Sequence, residues 1–193
     1  MRFCQTDNMS ILVGEKNNEI LRKSLQEITS IYVGERVDEQ LRAIEALRET
    51  HGHAINLAQE AVAEQPKTWQ YNCFQYAFNL INNPDVIQIA STHHEIYPNS
   101  AFVQFLIKRV LCELSTLEDG CVIVYSDSMK VTHAGKIMNQ AVASKWGTAH
   151  LWQHRIYEVP ATYGDGVRFF KAINAEQSGE AFRNYTKEIL GSV

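Results

Sequence analysis

The sequence predicts an α+β fold in which helices come first and an antiparallel sheet follows. Up to about residue 114, apolar residues recur mostly at the three- and four-residue spacing of amphipathic helices. From Asp119-Gly120 onward, the apolar segments are short, rich in β-branched residues and separated by turn sequences. A block of helices followed by consecutive strands is typical of α+β proteins.

Residues 1–65 are predicted to form an N-terminal helical subdomain or cap. A short strand is compatible with residues 10–13, and helical spacing covers about residues 16–32 and 37–63. The step His51-Gly52-His53 could divide the second helix, and we interpret it as a solvated junction rather than a metal site. Gln65-Pro66 ends this region, so residues 66–193 are predicted to form the α+β domain.

Within the second region, the expected elements alternate with turn sequences rich in Asn, Asp, Gly and Pro. Asn82-Asn83-Pro84-Asp85 is expected to stop the helix that begins near Cys73, and residues 86–98 to form a loop bordering a cleft. Cys112 and Cys121 are interpreted as core or near-core thiols. The other expected elements are helices over residues 100–114 and 178–190, and strands over residues 121–125, 130–138, 141–146, 151–159 and 166–172.

Composition limits the classes of function. The chain has 193 residues and a formal charge of -4 with no basic block, which argues against a nucleic-acid partner. Its four cysteines form no C-x-x-C pair, so neither a zinc ribbon nor a disulfide framework is indicated, and we expect no cofactor. No signal peptide or membrane span is recognisable, which predicts a cytoplasmic protein or one exported without a cleaved signal.

The stretch Tyr71-Asn72-Cys73-Phe74-Gln75-Tyr76-Ala77-Phe78 carries the first candidate site residue. Asn72 is a good helix N-cap, so Cys73 is expected in the first helical turn. Free amides at a helix start favour a thiolate and can hold an oxyanion, which is the chemistry of a cysteine nucleophile. The alternative is that Cys73 is a small buried apolar residue.

His133 is the second candidate. If Asn139-Gln140 is a two-residue turn, Gly135 lies opposite Ser144 and the Ser144 hydroxyl becomes a diagonal neighbour of His133. Gly135 would leave open space beside the imidazole. This arrangement suits a general base, although a half-buried structural histidine would show the same pattern.

A cysteine at a helix start, followed about sixty residues later by a histidine on a strand, resembles the papain-like superfold, and its NlpC/P60-like branch is the nearest familiar comparison. More closely, the chain resembles a family of uncharacterised bacterial proteins. The resemblance covers about residues 70–172 and excludes the N-terminal helices. The motifs that carry it are Asn72-Cys73-x-x-Tyr76-Ala77, Thr132-His133-Ala134, Ser144-Lys145-Trp146-Gly147, His154, and Tyr163-Gly164-x-x-Val167-Arg168-Phe169.

The resemblance implies a nucleophile helix packed on an antiparallel sheet, with Cys73 as nucleophile and His133 as general base. A third polar residue should orient the imidazole, and Ser144 at that place departs from the usual Asn, Asp, Gln or His. Lys145 is its neighbour in sequence, and Glu158 or a later histidine could orient the imidazole instead. The other candidates are His150 and His154 for orientation, Asn72 and Gln70 for oxyanion binding, and Trp69, Tyr76, Trp146 and Trp152 for lining or underpinning the cleft.

These features lead to two hypotheses. The first is a thiol-dependent hydrolase or acyl transferase of the peptidase, amidase or glutamine deamidase type, acting on a peptide, a protein or a small amide. The second is a catalytically silent effector, inhibitor or immunity-type protein that binds a protein partner through its N-terminal helices. We expect no bound metal, because the i,i+4 pair His150 and His154 lies in a segment predicted to be extended.

Overall fold

A computed structural model describes residues 18–31, 37–59, 71–147 and 149–191. The expected strand at residues 10–13, Trp69 and Gln70 lie outside these ranges. The described helices are α1 (Glu19–Ile31), α2 (Val37–His51), α3 (Cys73–Ala77), α4 (Pro84–Thr92), α5 (Ser100–Arg109) and α6 (Ala175–Leu190). The described strands are β1 (Asn56–Gln59), β2 (Glu113–Leu114), β3 (Val122–Asp127), β4 (Lys130–Met138), β5 (Ala141–Lys145), β6 (Leu151–His154) and β7 (Gly166–Phe170).

The strands form one open antiparallel sheet with the order β1-β6-β5-β4-β3-β7-β2. Helices therefore combine with an antiparallel sheet, and the expected α+β class is correct. None of the helices in the described ranges is both long and apolar enough to cross a membrane.

The sheet has a helical layer on each face. On β3, Val122 and Val124 belong to one core cluster while Ile123 and Tyr125 belong to another, as the alternation of side chains along a strand requires. We call the first side the α3 face, because α3, α4, α5 and α6 pack there. We call the second side the α1 face, because α1 and α2 pack there.

The β4–β5 hairpin confirms the sequence prediction closely. Asn139 and Gln140 have φ values of 51° and 62°, the left-handed pair that a tight type I′ turn needs. Met138 pairs with Ala141, and the ladder continues to Lys136 opposite Ala143, which is the predicted register. Beyond that pair β4 continues only with β3. The hydrogen-bonded pairing of β4 with β5 therefore stops there, and we call this interruption of the ladder the β4–β5 gap.

The prediction of a helix over residues 37–63 was wrong in its second half. Helix α2 ends at His51, where Gly52 takes a φ of 59°, and Asn56–Gln59 joins the sheet beside β6. His53 is not solvated but buried: its Nε2 lies 2.9 Å from the Ile44 carbonyl, and its Nδ1 accepts from the Ile55 amide at 3.1 Å. These bonds tie the end of α2 to the chain that enters β1.

The loop expected over residues 86–98 begins as helix α4. Asn83 caps it by accepting from Asp85 and Val86, and Pro84 occupies its first turn, where proline is well tolerated. The helix expected over residues 100–114 is also shorter than predicted, because Glu113–Leu114 pairs with β7. Cys112, expected near the core, is exposed between these two elements.

Helix α1 is fastened to the turn before β7 by Arg22. This buried guanidinium donates to the Gly164 carbonyl at 2.7 Å and pairs with Asp165. Gly164 has φ 81° and ψ 179°, a conformation that is almost exclusive to glycine. A Cβ there would lie 2.2 Å from the Ser126 carbonyl oxygen, so the turn depends on glycine for two independent reasons.

The substitution Gly164→Ala should therefore lower the free energy of unfolding by about 3 kcal/mol or more, since backbone strain and overlap add. Gly120→Ala is the matched control. Gly120 also has a positive φ of 80°, but a Cβ at this position would have no neighbour within 4 Å. This substitution should cost only the conformational part, about 1–2 kcal/mol. Urea unfolding measures both, and equal losses would show that the contact with Ser126 has no energetic weight.

Candidate functional site

Asn72 is the N-cap of α3, as predicted, and the cap is a complete capping box. Its Oδ1 accepts from the amides of Phe74 at 3.0 Å and Gln75 at 2.9 Å, and the Gln75 side chain accepts from the Asn72 amide. The Asn72 side-chain amide donates to the Pro98 carbonyl at 2.8 Å. Its polar atoms are thus already engaged in holding the helix start rather than directed to an incoming oxyanion.

Cys73 lies in the first turn of α3 and is buried, with 8% of its surface exposed. Burial raises the pKa of its thiol to about 12, although hydrogen bonding to the backbone of Ala134, Phe74 and Cys73 itself acts in the opposite direction. The effect of desolvation on the pKa of the thiol thus outweighs the opposite effect of the helix start, because α3 is only five residues long. At neutral pH the resting form is the thiol, not the expected thiolate.

His133 is buried on the α1 face of β4, with 1% of its surface exposed. Its ring stacks on Tyr163 at a centroid distance of 3.9 Å and lies 5.5 Å from the ring of Tyr125. Burial, and next the neighbouring His154, place the pKa of His133 well below its usual value. The imidazole is therefore neutral, and its Nε2 has no hydrogen-bond partner among the described residues.

The thiol and the imidazole lie on opposite sides of strand β4. Cys73 belongs to the cluster of the α3 face together with Ala134, whereas His133 contacts residues of the α1 face. Within the described residues, no hydrogen bond joins Cys73 to His133. The thiol nevertheless reaches the backbone of Ala134, the residue that directly follows His133. The two side chains are thus neighbours across the strand backbone beside the β4–β5 gap.

Ser144, expected to orient His133, is bonded to other residues. The Trp146 indole N–H donates to the Ser144 hydroxyl at 3.1 Å, and that hydroxyl lies 2.7 Å from Nε2 of His154. His154 Nδ1 lies 2.7 Å from the carbonyl of Arg155, so Nδ1 carries the ring proton and Nε2 accepts from Ser144. Burial lowers the pKa of His154 to about 4, which keeps this chain of bonds neutral.

The expected open space beside His133 is also absent. A Cβ placed on Gly135 would lie 2.8 Å from the Ala143 carbonyl oxygen and 2.9 Å from the Cβ of Ser144. Gly135 therefore allows β5 to approach β4 closely next to the last β4–β5 pair.

Lys145 points to the α3 face, away from the imidazole. It is 5% exposed, its Nζ lies 4.1 Å from the centroid of the Tyr71 ring, and burial lowers its pKa to about 8. Tyr76 stacks on Tyr71 at 6.4 Å and has the Lys136 ammonium 4.8 Å from its centroid. Of the candidate cleft residues, Tyr76 thus lies on the nucleophile helix itself and is partly buried.

Trp146 and Trp152 form part of the core of the α1 face instead of a cleft wall. Each is 1% exposed, and their rings lie 5.5 Å apart. His150 is equally buried and packs edge-on against Trp152 at 5.6 Å. Glu158 accepts from the Ala54 amide at 3.0 Å, so this candidate for the third catalytic position serves to anchor the approach to β1.

Tyr163 joins the site although its side chain was not singled out from the sequence. Its ring covers the imidazole of His133, and its hydroxyl is hydrogen bonded to the backbone of Gly147. Burial raises the pKa of this hydroxyl, and negative charge at Cys73 raises it further. The Tyr163-Gly164 motif was visible in the sequence, but only the fold shows that the ring turns inward.

In the described part of the chain, no group of three or more His, Cys, Asp or Glu side chains is arranged to hold a metal ion. The fold and the site define a mixed α+β protein in which a buried thiol, imidazole and phenol lie near the point where the pairing of two antiparallel strands stops. The chain belongs to the family described as a domain of unknown function (DUF7689), whose model matches residues 62–171. No curated protein and no solved structure matches the chain.

The network around Ser144 predicts a large effect of a small substitution. Ser144→Ala would leave both Nε2 of His154 and the Trp146 indole N–H buried without partners, at a cost of about 2–4 kcal/mol in the free energy of unfolding. Ser91→Ala, on the exposed side of α4, should change it by less than about 0.5 kcal/mol. Urea unfolding compares the two. A small loss for Ser144→Ala would mean that the hydroxyl is dispensable to the network.

The buried histidines also predict acid sensitivity. The pKa values of His53, His133 and His154 are all lowered by burial, so below pH of about 6.5 the unfolded chain binds more protons than the folded chain. The free energy of unfolding should therefore fall as the pH falls. For His154, titrating at about 4 when folded, the loss amounts to about 3 kcal/mol by pH 4.

Urea unfolding between pH of about 7.5 and about 4.5 measures this slope. His154→Gln should make the slope shallower, because one of the contributing groups is gone. His94→Gln, at an exposed position after α4, is the matched control and should leave it unchanged. A free energy of unfolding that is constant over this range would contradict the burial of neutral imidazoles.

Proposed function

We propose that the chain is a thiol-dependent hydrolase or acyl transferase that acts on the amide or thioester carbonyl of a peptide, a protein or a small amide. Cys73 is the nucleophile and His133 the general base. The observation that carries this proposal is the position of the Cys73 thiol, in the first turn of a capped helix and against the backbone of Ala134, the neighbour of His133. The papain-like fold is part of the same proposal.

The proposed reaction has two halves. As the Cys73 sulfur attacks the carbonyl carbon, the thiol proton passes to the His133 ring, and a C–S bond forms. The imidazolium then returns this proton to the leaving amine or thiol as its bond to the carbonyl carbon breaks. In the second half, water or an amine attacks the acyl-enzyme, its proton passes through His133 to the departing sulfur, and the free thiol is restored.

The resting charges decide how the first half proceeds. The thiol has a pKa of about 12, and the imidazole has a pKa well below 6.5. Moving the proton before attack would cost more than about 7 kcal/mol. Proton transfer must therefore accompany bond formation, with the new oxyanion stabilised by the backbone amide of Cys73, since Asn72 occupies the next two amides of α3. The thiol and the ring must also approach each other through the β4–β5 gap when substrate binds.

Tyr163 takes the place of the third catalytic residue in this proposal. Its stacked ring fixes the plane of the His133 imidazole, and its hydroxyl is anchored by a hydrogen bond to the backbone of Gly147. Ser144 and His154 are bonded to each other and support the core behind the ring. The positioning of His133 thus depends on packing more than on a hydrogen bond to a polar partner.

The proposal predicts acylation of a buried thiol. Incubation with a small acetyl thioester should acetylate Cys73, because only an activated thiol overcomes its burial. His133→Asn should slow this acetylation at least about a hundredfold, since the general base is lost. Mass spectrometry of digested protein locates the acetyl group and measures its rate of formation, and circular dichroism checks that the variant is folded.

The other thiols provide internal controls. Cys121 is buried like Cys73, but it precedes strand β3 instead of starting a helix, so it should stay unmodified. Cys112 is exposed and reports the background reactivity of an ordinary thiol, which His133→Asn should not change. If Cys73 is acetylated no faster than Cys121, or equally fast in His133→Asn, the proposed thiol chemistry is wrong.

One observation favours a second candidate, a catalytically silent protein that acts by binding a partner. The thiol is buried, and its hydrogen bonds go to backbone groups instead of to the imidazole. A structural cysteine would have these properties. In that case Cys73→Ala would leave the biological activity intact, whereas substitutions on the exposed surface of α2, at Arg42 and Glu45, would abolish it.

A further inference from the structure

A cavity lies beside the C-terminal end of the nucleophile helix. Its volume is about 430 Å³, within the range of cavities that hold small molecules. Its walls come from α3 and the turn after it, from β4, and from the first turn of α6. The residues that matter for its chemistry are Tyr76, Asn79, Ile81, Pro84, Lys136 and Glu176.

One wall of the cavity carries an ammonium group held in place. The Nζ of Lys136 donates to the Oδ1 of Asn79 at 2.6 Å and lies 4.8 Å from the centroid of the Tyr76 ring. The Asn79 side-chain amide in turn donates to the Ile173 carbonyl at 3.0 Å. Asn79 therefore links β4 to the segment that leads into α6, and it fixes the ammonium between two elements.

Another part of the lining carries a carboxylate. Glu176 lies in the first turn of α6 and is exposed. Neither Lys136 nor Glu176 has an ion-pair partner within the described ranges, and the two are not paired with each other. The cavity thus holds one uncompensated positive charge and one uncompensated negative charge. Burial lowers the pKa of Lys136, which shows that its ammonium is partly desolvated without a compensating anion.

The rest of the lining combines apolar residues with two further asparagines, Asn82 and Asn83. The ring of Tyr76 and the side chains of Ile81 and Pro84 contribute carbon surface to the cavity. A ligand that complements all of these groups carries a carboxylate for Lys136, an ammonium for Glu176 and an apolar side chain.

We propose that this cavity binds a small zwitterion, a free amino acid or a dipeptide with an apolar side chain. Lys136 and Asn79 hold its carboxylate end, and Glu176 holds its ammonium end. The site is distinct from the thiol, because neither Cys73 nor His133 lines the cavity. The inference does not depend on the proposed thiol chemistry.

Isothermal titration calorimetry with alanyl-leucine and two blocked forms tests this site on the full chain. N-acetylation of the dipeptide removes its ammonium, and conversion of its carboxylate to the amide removes the negative charge. The free dipeptide should bind at least about tenfold more tightly than either blocked form, because each loses one charged contact. If alanyl-leucine does not bind, or if all three forms bind equally, the proposal is wrong.

Two variants assign the charges to their residues. Lys136→Gln should make the dipeptide and its amide bind alike, and Glu176→Gln should make the dipeptide and its acetylated form bind alike. Lys130→Gln removes an exposed lysine at the start of the same strand and should preserve both preferences. Preferences that survive in Lys136→Gln and Glu176→Gln would refute the assignment, and thermal unfolding confirms that each variant is folded. Acetylation of Cys73 is measured separately, so either proposal can fail alone.

Discussion

The hydrogen-bonded pairing of β4 with β5 stops at the Lys136–Ala143 pair, and the arrangement of the site depends on this interruption of the ladder. A continuous ladder would use the backbone groups of residues 133–135 for pairing with β5. Where the ladder stops, buried backbone groups need other partners. The Cys73 thiol meets this need at Ala134, and the Tyr163 hydroxyl does so at Gly147. The Cys73 thiol from one face of the sheet and the Tyr163 hydroxyl from the other therefore both bond to backbone groups near the β4–β5 gap.

Local chemistry made the β4–β5 hairpin predictable. Strand β4 has the predicted bounds because apolar residues alternate along it and Asn139-Gln140 accepts the left-handed turn. Side-chain alternation then fixes the register, since a slip by one residue would expose the whole apolar set. The cap at Asn72 was equally predictable from the sequence, because it is defined by an asparagine and a glutamine three residues later, Gln75.

The failures share a different cause, which is tertiary burial. Helix α4 has a clear cap at Asn83 and a proline in its first turn, but the same residues also signal a stop, and only packing against the sheet decides between the two. The destination of the Ser144 hydroxyl depends on β6 lying next to β5, a pairing between strands joined by an irregular segment. The charge of Cys73 likewise follows from its neighbours, since desolvation opposes and exceeds the effect of the helix start.

His133 differs from the buried histidines His53 and His154 in its hydrogen bonding. His53 and His154 each use both ring nitrogens, so their tautomers are fixed and their burial is compensated. His133 is stacked between aromatic rings, and its Nε2 finds no partner among the described residues. A buried nitrogen without a hydrogen bond lowers the folding stability by about 1–3 kcal/mol. If residue 133 had only a structural role, an apolar side chain at this position would avoid that cost. The unpaired Nε2 of His133, next to a thiol across one strand, supports the thiol chemistry that we propose.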